Sequence, residues 1–352
     1  AYWTDGSQVT APHDRNIIAE VEKITSIDQI LTGANPGNIT LLGEEFDEIY
    51  LNKVHTLSLS PESVGKFHDM KIAYTPLHGA GVRLVPASLR KWGFTNVSLV
   101  EEQAVIDGNF PTVESPNPEE RKTMAKAIEL GSRLGADLVL ATDPDSDRIG
   151  VALRNAKGEY VLLNGNQTLS LIMAYQLGRL DGKEFVVKTI VTSQMPNVMA
   201  AHFGVKCYDC LTGFKYIARI IRNNEGKATY IGGGEESFGY LAGDFVRDKD
   251  AVSACSLVAE AAAWTRDTMG LTLYEWLQKL YVEFGFFREG LVSVVRKGME
   301  GAAEIQRMMV DYRADPPREI AGSPVVKIND FKLLESTDVR TGAKTPIEEE
   351  AS

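Results

Sequence analysis

An apolar run leads directly into an acidic loop in Leu138-Val139-Leu140-Ala141-Thr142-Asp143-Pro144-Asp145-Ser146-Asp147-Arg148. The run predicts a buried strand over residues 137–142. The carboxylates that follow at alternate positions would repel one another without a cation, whereas hard oxygen ligands at this spacing can share one Mg²⁺ or a similar ion. Asp143, Asp145 and Asp147 are therefore candidate metal ligands. Arg148 adds a planar fork that binds phosphate, and a metal with an arginine at the C-terminal end of a buried strand favours phosphoryl-group chemistry.

Two familiar acidic motifs do not match this loop. A calcium loop of the EF-hand kind needs Gly at its sixth position and Glu at its twelfth, where this chain has Arg148 and Arg154. A phosphatase of the haloacid dehalogenase type has the signature Asp-x-Asp-x-Thr, but Asp147 stands in the place of the threonine. A solvated turn whose acids only cap the next segment stays open as an alternative.

The composition limits the class of protein. A chain of 352 residues is too long for one compact core and predicts two or three domains. Its net charge of −11 argues against a nucleic-acid surface, and no apolar stretch approaches the length of a membrane span. We therefore expect a cytoplasmic protein with no nucleic-acid or membrane partner.

Three cysteines occur, and two of them form the pair Cys207-Tyr-Asp-Cys210. With His202 nearby, this pair suggests a redox or zinc site. A structural zinc site usually has four ligands, and the sequence offers no second pair. Reduced, partly buried thiols are the favoured interpretation.

Apolar periodicity predicts two blocks in which strands alternate with helices. The first block has strands and helices over residues 71–75, 84–92, 96–100, 121–134 and 137–142. The second has them over residues 167–177, 185–190, 195–203, 205–208, 214–223 and 228–231. The fold class expected is α/β, with two consecutive related α/β domains, mixed and mainly parallel sheets, and partial flanking domains.

The flanking parts are less regular. A helix is expected over residues 13–27, after Pro12. After residues 291–295, a helix over 302–312 and a strand over 325–328 suggest the start of an α+β domain. Since the chain opens without an initiator Met, we expect it to be a piece of a longer protein.

A glycine-rich loop follows the strand over residues 228–231, in Gly232-Gly-Gly-Glu-Glu-Ser-Phe-Gly-Tyr240. Its glycines permit close backbone approach, and Glu235, Glu236 and Ser237 offer acceptors. Carboxylate and hydroxyl together suit vicinal hydroxyl groups, so a sugar is the expected ligand. A tight turn with a capping Ser or Glu stays open as an alternative.

Further downstream, Arg247-Asp248-Lys249-Asp250 precedes a helix that begins at Ala251, for which Asp250 is the expected N-cap. Arg247 and Lys249 are either solvated charges or, because the loop from Gly239 is long, free to swing toward a phosphate or to transfer a proton.

One further turn is ambiguous, and the motifs typical of nucleotide binding are not found. The turn at Thr212-Gly213 is either a helix N-terminus or a ligand-contacting loop. No Gly-x-x-x-x-Gly-Lys-Ser/Thr occurs, and Gly79-Ala80-Gly81 lacks the third glycine of the dinucleotide fingerprint. His78, in the turn after a strand, is interpreted as structural rather than catalytic.

Together these segments resemble the α-D-phosphohexomutase superfamily, and within it the phosphoglucomutase/phosphomannomutase group. The matching motifs, in the family's order, are Thr75-Pro-Leu-His-Gly79, Pro116-Asn-Pro-Glu119, Asp143-Pro-Asp-Ser-Asp-Arg148, Thr212-Gly213, Gly234-Glu-Glu-Ser-Phe-Gly239 and Arg247-Asp-Lys-Asp250. The resemblance implies four domains around one cleft. On that template the chain divides into the tail of domain I, domain II, domain III and the start of a truncated domain IV, at residues 1–50, 51–163, 164–290 and 291–352.

The resemblance also implies an activity. In this family a phosphoserine gives its phosphoryl group to a sugar monophosphate, and the bisphosphorylated sugar returns the other phosphate to the serine. The expected partners are glucose 1-phosphate, glucose 6-phosphate and glucose 1,6-bisphosphate. Phosphomannomutase, phosphopentomutase, sugar-bisphosphate synthase and a non-catalytic metal- or sugar-binding protein stay open as alternatives. The phosphoserine loop Thr-Ala-Ser-His-Asn-Pro and the phosphate-binding loop Arg-x-Ser-Gly-Thr-Glu-Pro do not occur in these residues, so the chain by itself is expected to be inactive.

The resemblance assigns roles to residues by their motifs. The three aspartates would hold Mg²⁺, and Arg148 would support the transferring phosphoryl group. The residues implied in substrate binding are Glu235 and Ser237 on sugar hydroxyls, Thr212 and Gly213 in the pocket wall, and Arg247. Phosphomannomutase relatives have His where Gly239 stands here, so Lys249 is the candidate general acid/base.

Overall fold

The computed structural model describes residues 2–30, 32–33, 35–177, 179, 183–290 and 294–347. Its helices are α1 His13–Val21, α2 Glu44–His55, α3 Pro61–Lys66, α4 Gly81–Trp92, α5 Ala125–Leu134, α6 Gly165–Gln176, α7 Met195–His202, α8 Phe214–Asn223, α9 Ala251–Met269, α10 Leu273–Phe284 and α11 Gly298–Ala314. Its strands are β1 Ile72–Thr75, β2 Val97–Leu99, β3 Leu138–Thr142, β4 Ile149–Arg154, β5 Tyr160–Leu162, β6 Glu184–Thr189, β7 Lys206–Cys210, β8 Thr229–Gly234, β9 Tyr240–Ala242, β10 Glu319–Ile320, β11 Ser323–Pro324, β12 Lys327–Asp330, β13 Glu335–Asp338 and β14 Lys344–Pro346.

The first large sheet has the strand order β2-β1-β3-β4-β5. Strand β1 pairs in parallel with both β2 and β3, whereas β4 returns antiparallel beside β3. Strands β1 and β3 are buried at every position, which explains their continuous apolar sequence. The sequence analysis did not identify β4. Because β4 follows β3 directly in the sequence and pairs with it, the acidic loop is the turn of a β-hairpin. It lies at the carboxyl end of β3.

The second sheet repeats this plan in the order β7-β6-β8-β9. Strand β6 pairs in parallel with β7 and β8, and β9 returns antiparallel beside β8. The glycine-rich loop is the turn between β8 and β9, as the acidic loop is the turn between β3 and β4. The two mixed sheets with their helices confirm the α/β fold class and the two consecutive related domains.

Helix α9 connects the two α/β units. It packs against α3 and α4 of the first unit and against α6 and β9 of the second. One cluster of buried apolar residues extends across both units, from Ile72 on β1 to Leu257 on α9. Glu260 on α9 is fully buried and accepts hydrogen bonds from the backbone N–H groups of Leu59 (3.0 Å) and Ser60 (2.9 Å). Apolar contact and buried hydrogen bonds therefore fix the two units to each other.

The flanking parts differ from the sequence prediction. Helix α1 ends at Val21 rather than at residue 27, because Ser26 caps a short 3₁₀ turn and competes with helix continuation. Strand β12 begins two residues later than expected, at Lys327. Of the residues 291–295 that introduce the last predicted domain, the first three lie outside the described residues, as do residues 348–352.

The cysteine pair does not form a metal site. Cys207 and Cys210 lie three positions apart on β7, so their side chains point to opposite faces of the sheet and pack in different apolar clusters. Burial raises the pKa of each thiol to about 12. Both cysteines and Cys255 are free, in agreement with reduced, packed thiols. None of the helices that the structure describes is both long and apolar enough to cross a membrane.

Candidate active site

The acidic loop gathers the carboxylates of Asp143, Asp145 and Asp147. One oxygen of each lies within 4.8 Å of the others. Asp143 is fixed at the end of β3 because its Oδ1 accepts the backbone N–H groups of Asp147 (3.0 Å) and Arg148 (2.9 Å). Ser146 has a φ of +59°, and this left-handed turn brings Asp147 back toward Asp143. The loop is thus held in shape by its own backbone.

The electrostatics of this loop favour a cation. Burial, and then the negative charges of Asp147 and Asp145, raise the pKa of Asp143 to about 7. Hydrogen bonding leaves Oδ2 of Asp143 available, while Asp145 is exposed. Converging carboxylate oxygens are what hard divalent cations such as Mg²⁺ prefer, so the donor set fits such an ion.

The loop after β1 packs against the acidic loop at Pro144. Ala80 donates its N–H to the Pro144 carbonyl at 2.8 Å. A β-carbon on Gly79 would lie 2.3 Å from Cα of Pro144, so only glycine fits this contact. Both ring nitrogens of His78 are engaged, with the Val105 carbonyl (2.9 Å) and the Thr112 hydroxyl (2.8 Å). These contacts agree with a structural role for His78.

Arg148 lies at the rim of the acidic loop. Its Nε is 3.8 Å from carboxylate oxygens of Asp143 and Asp147, and its Nη1 is 3.3 Å from Glu119 Oε1. Its side chain is 37% exposed, so part of the guanidinium faces the open side of the site. Glu119, from the Pro116-Asn-Pro-Glu119 motif, therefore orients this arginine.

In the glycine-rich loop, Glu235 is buried and accepts the backbone N–H of Gly213 at 2.9 Å. Burial is the largest influence on this carboxyl and raises its pKa. The next residue, Glu236, accepts hydrogen bonds from the hydroxyls of Thr189 (3.0 Å) and Thr192 (3.1 Å). Both threonines were missed from the sequence, although Thr189 ends strand β6 and Thr192 follows it, at the same end of the sheet as the loop.

The two loops touch directly. Arg148 and Gly239 form an isolated antiparallel β-bridge, and Ile149 donates its N–H to the Phe238 carbonyl at 3.0 Å. Gly165, at the start of α6, lies so close that a β-carbon there would come within 1.8 Å of the Glu236 carbonyl. The structure thus brings the three aspartates and Arg148 together with the loop that carries Glu235 and Ser237.

Lys249 lies between the two loops. Its Nζ is 3.0 Å from Asp147 Oδ2 and 3.0 Å from Asp248 Oδ1. Its side chain is only 13% exposed, and its aliphatic part passes over Gly239. The lysine therefore touches one of the candidate metal ligands, Asp147.

The sequence left Arg247 and Lys249 as either solvated charges or side chains free to swing, and in the structure they are neither. Strand β9 shortens the loop, and both side chains are mostly buried in ion pairs, Arg247 with Glu225 and Lys249 with Asp147 and Asp248. Among the residues that the structure describes, Arg247 Nη1 has no hydrogen-bond partner although it is buried. Thr212 is exposed beside the site, whereas the backbone of Gly213, with φ of +119°, serves Glu235.

A cavity of about 450 Å³ opens beside these residues. Asp145, Ser146 and Lys249 line one part of it, and Arg247 and Tyr50 line another. Charged groups of both signs therefore line one space beside the acidic loop, whereas Glu235, Ser237 and Arg148 are not among its lining residues.

The fold and the site define an α/β protein in which a loop of three converging carboxylates lies against a glycine-rich loop that carries Glu235 and Ser237. The chain belongs to the phosphoglucomutase/phosphomannomutase family: the models of that family's alpha/beta/alpha domain II and domain III match residues 48–158 and 164–284.

Curated relatives agree with this membership. The phosphoglucomutase of Staphylococcus aureus strain MRSA252 is 32% identical over 340 residues, which are 95% of this chain and 60% of that protein. The phosphoglucomutase of Staphylococcus epidermidis is 33% identical over 353 residues, which are 98% of this chain and 64% of that protein. The chain therefore spans less than two thirds of the length of these relatives.

Solved structures share the fold. The open form of parafusin, a phosphoglucomutase from Paramecium, superposes with a TM-score of 0.58 at 15% identity, over 93% of this chain and 57% of that one. A phosphoglucomutase/phosphomannomutase family protein from Burkholderia thailandensis superposes with a TM-score of 0.54 at 19% identity, over 66% of this chain and 46% of that one.

Proposed function

We propose that this chain forms the metal- and sugar-binding part of a phosphoglucomutase-type isomerase. Such an enzyme interconverts hexose 1-phosphate and hexose 6-phosphate through a phosphoserine and a bisphosphorylated sugar. The observation that carries the proposal is the β-bridge between Arg148 and Gly239, because it places the acidic loop against the glycine-rich loop. A phosphoryl group at the aspartates and sugar hydroxyls at Glu235 would then belong to one bound substrate.

The acidic loop has the role of charge stabilisation in this proposal. Asp143, Asp145 and Asp147 hold Mg²⁺, which neutralises the negative charge of phosphoryl oxygens. Arg148, oriented by Glu119, binds the same phosphoryl oxygens from the rim. Lys249, 3.0 Å from Asp147, is placed to hold or release the proton of the oxygen that accepts or loses the phosphoryl group.

The glycine-rich loop has the role of positioning the sugar. Glu235 is fixed by the Gly213 N–H, and Ser237 stands two residues further on in the same turn. A carboxylate and a hydroxyl accept and donate to vicinal hydroxyls whichever phosphate faces the acidic loop, as both half-reactions require. Arg247 and the turn at Thr212-Gly213 complete the substrate side of the site.

The preferred sugar is glucose in this proposal, so the ligands are glucose 1-phosphate, glucose 6-phosphate and glucose 1,6-bisphosphate. The staphylococcal relatives bear the name phosphoglucomutase, and Gly239 stands where a histidine would indicate a phosphomannomutase. We keep the division at residues 1–50, 51–163, 164–290 and 291–352 as part of the proposal.

The proposal is tested in the protein as its gene encodes it, with a panel of sugar phosphates and Mg²⁺. Glucose 1-phosphate should be turned over in preference to mannose 1-phosphate and ribose 1-phosphate. Ser237→Ala should reduce kcat/KM by about tenfold or more, because it removes a sugar contact, while the exposed helical Ser132→Ala leaves it unchanged.

Other results would change the assignment. Preferred turnover of ribose 1-phosphate would overturn the glucose assignment in favour of a phosphopentomutase. Binding of sugar phosphates without turnover of any of them would favour a non-catalytic binding protein.

A further inference from the structure

The first residues of the chain lie on the segment that carries Lys249. Tyr2 and Gln8 face each other in an antiparallel bridge, and we call residues 2–8 the N-terminal hairpin. Within it Trp3 donates its N–H to the Ser7 carbonyl at 2.8 Å. Ser7 forms a parallel bridge with Arg247, so the hairpin is joined by its backbone to the segment before α9.

The hairpin also fixes Asp248. Oδ2 of Asp248 accepts hydrogen bonds from the Tyr2 hydroxyl (2.9 Å) and the Gln8 amide (2.8 Å). Oδ1 accepts the backbone N–H of Lys249 (2.9 Å) and lies 3.0 Å from its Nζ. One oxygen of this carboxylate therefore serves the hairpin and the other serves the lysine, so the carboxylate cannot rotate without breaking contacts on both sides.

Lys249 shares its charge between Asp248 and Asp147. Its Nζ is equidistant from the two carboxylates, at 3.0 Å, and lies 5.2 Å from the centre of the Phe214 ring. Because Asp147 is one of the three converging carboxylates, the ammonium group contacts a carboxylate that a divalent cation would also use. Two cations at one carboxylate repel each other, so metal binding disfavours the ion pair between Lys249 and Asp147.

We propose that Asp248, held by the N-terminal hairpin, is a positioning residue that keeps the Lys249 ammonium paired while Asp147 turns to the divalent cation. This inference rests on the metal site of the proposed function. Without Asp248, a mostly buried ammonium would have Asp147 as its remaining carboxylate partner and would compete with the metal for it. When Asp248 is present, Lys249 can give up its contact with Asp147 and still keep one carboxylate partner, Asp248.

The test measures binding of Mn²⁺, a hard divalent probe with the same preference for oxygen ligands, from the electron paramagnetic resonance signal of the free ion. Asp248→Asn should weaken Mn²⁺ binding by about fivefold or more, and Lys249→Met should strengthen it, since the competing cation is gone. In the Lys249→Met background, Asp248→Asn should change the affinity by less than about twofold.

Two further variants serve as controls. Asp244→Asn removes the same charge from the exposed part of the same loop and should leave Mn²⁺ binding within about twofold of wild type. Tyr2→Phe keeps every charge but removes one hydrogen bond to Asp248, and it should weaken binding in the same direction as Asp248→Asn by a smaller factor.

The outcomes separate this inference from the proposed function. If wild type binds Mn²⁺ and Asp248→Asn weakens binding equally with and without Lys249, the effect is that of a nearby charge and the inference is wrong. It is wrong also if Asp248→Asn binds like wild type. Failure of the wild-type chain to bind Mn²⁺ would instead remove the metal site itself, and this inference with it.

Discussion

Arg148 and Gly239 pair through their backbones, so the loop of one sheet hairpin is joined to the loop of the other. Side chains alone do not hold these loops in register. The contact also brings Gly239 under the aliphatic part of Lys249, where a β-carbon would lie 2.3 Å from Cδ of the lysine. The absence of a side chain at Gly239 thus leaves room for the path of the lysine side chain.

Gly239→Ala should displace Lys249 from its two carboxylate partners. We expect a loss of about 1–3 kcal/mol in the free energy of unfolding, because the added methyl group overpacks the contact. Urea unfolding followed by circular dichroism measures this loss. Gly108→Ala, at a glycine with open space around it, should cost less than about 0.5 kcal/mol. Equal stability of the two variants would contradict the packing described here.

Asp145→Asn should weaken Mg²⁺ binding by at least about tenfold, since it removes one charge from the converging carboxylates. Calorimetric titration with Mg²⁺ measures the change. The exposed Asp69→Asn makes the same substitution away from the site and should bind like wild type. If Asp145→Asn also binds like wild type, the ligand set is wrong.

The 352 residues alone should show no mutase turnover, since phosphoryl transfer depends on a positioned serine nucleophile that the recognised motifs of this chain do not supply. A coupled assay with glucose 1-phosphate, glucose 1,6-bisphosphate and Mg²⁺ tests this expectation. Arg148→Ala serves as the control for contaminating host enzyme. Turnover that disappears in that variant would mean that a serine within this chain accepts the phosphoryl group.

Glu235→Gln should raise the stability of the folded chain at high pH and weaken its binding of the sugar phosphate. Burial raises the pKa of Glu235 above the ordinary value of 4.5 for a glutamate, so the folded chain binds this proton more tightly than the unfolded chain does. Stability is therefore lost as the pH rises above about 4.5 through the raised pKa, and the neutral amide avoids that loss. The free energy of unfolding of the variant should exceed that of wild type at pH 8 and approach it at pH 4.

The same variant should bind glucose 1,6-bisphosphate more weakly at pH 8, because an amide is a poorer acceptor for sugar hydroxyls than a carboxylate. Titration calorimetry of both proteins gives this comparison. A variant that is more stable and binds as well as wild type would show that Glu235 does not contact the sugar.

Glu260→Ala should destabilise the chain by about 3 kcal/mol or more, because it leaves the buried N–H groups of Leu59 and Ser60 and the Ser58 hydroxyl without this acceptor. Denaturant unfolding measures the effect. Glu283→Ala, at an exposed position of α10, should stay within about 0.5 kcal/mol of wild type.

Local sequence predicts the two hairpin loops well. One continuous stretch contains the strand before Asp143, the alternating carboxylates and Arg148. The same stretch therefore predicts both the buried strand and the candidate metal ligands that follow it. The same holds for Glu235 among its glycines. The α/β alternation is equally local where a buried strand is a mostly apolar run, as β3 is.

Contacts between distant segments could not be predicted in this way. Asp248 meets Tyr2 and Gln8 across more than two hundred residues, and no local pattern indicates that Lys249 is buried rather than free. Strand β4 is a different case, because Ile149-Gly-Val-Ala-Leu153 has the apolar character of a strand and could have been predicted from the local sequence.

Helix α9 has a consequence for motion. This helix begins shortly after Lys249 and packs against helices of both α/β units. A hinge motion between those units would therefore have to separate buried apolar residues that the units share. We therefore expect the two units to move as one rigid body on the timescale of turnover. In the proposed reaction, a bisphosphorylated sugar would therefore reorient against two loops whose relative positions stay fixed.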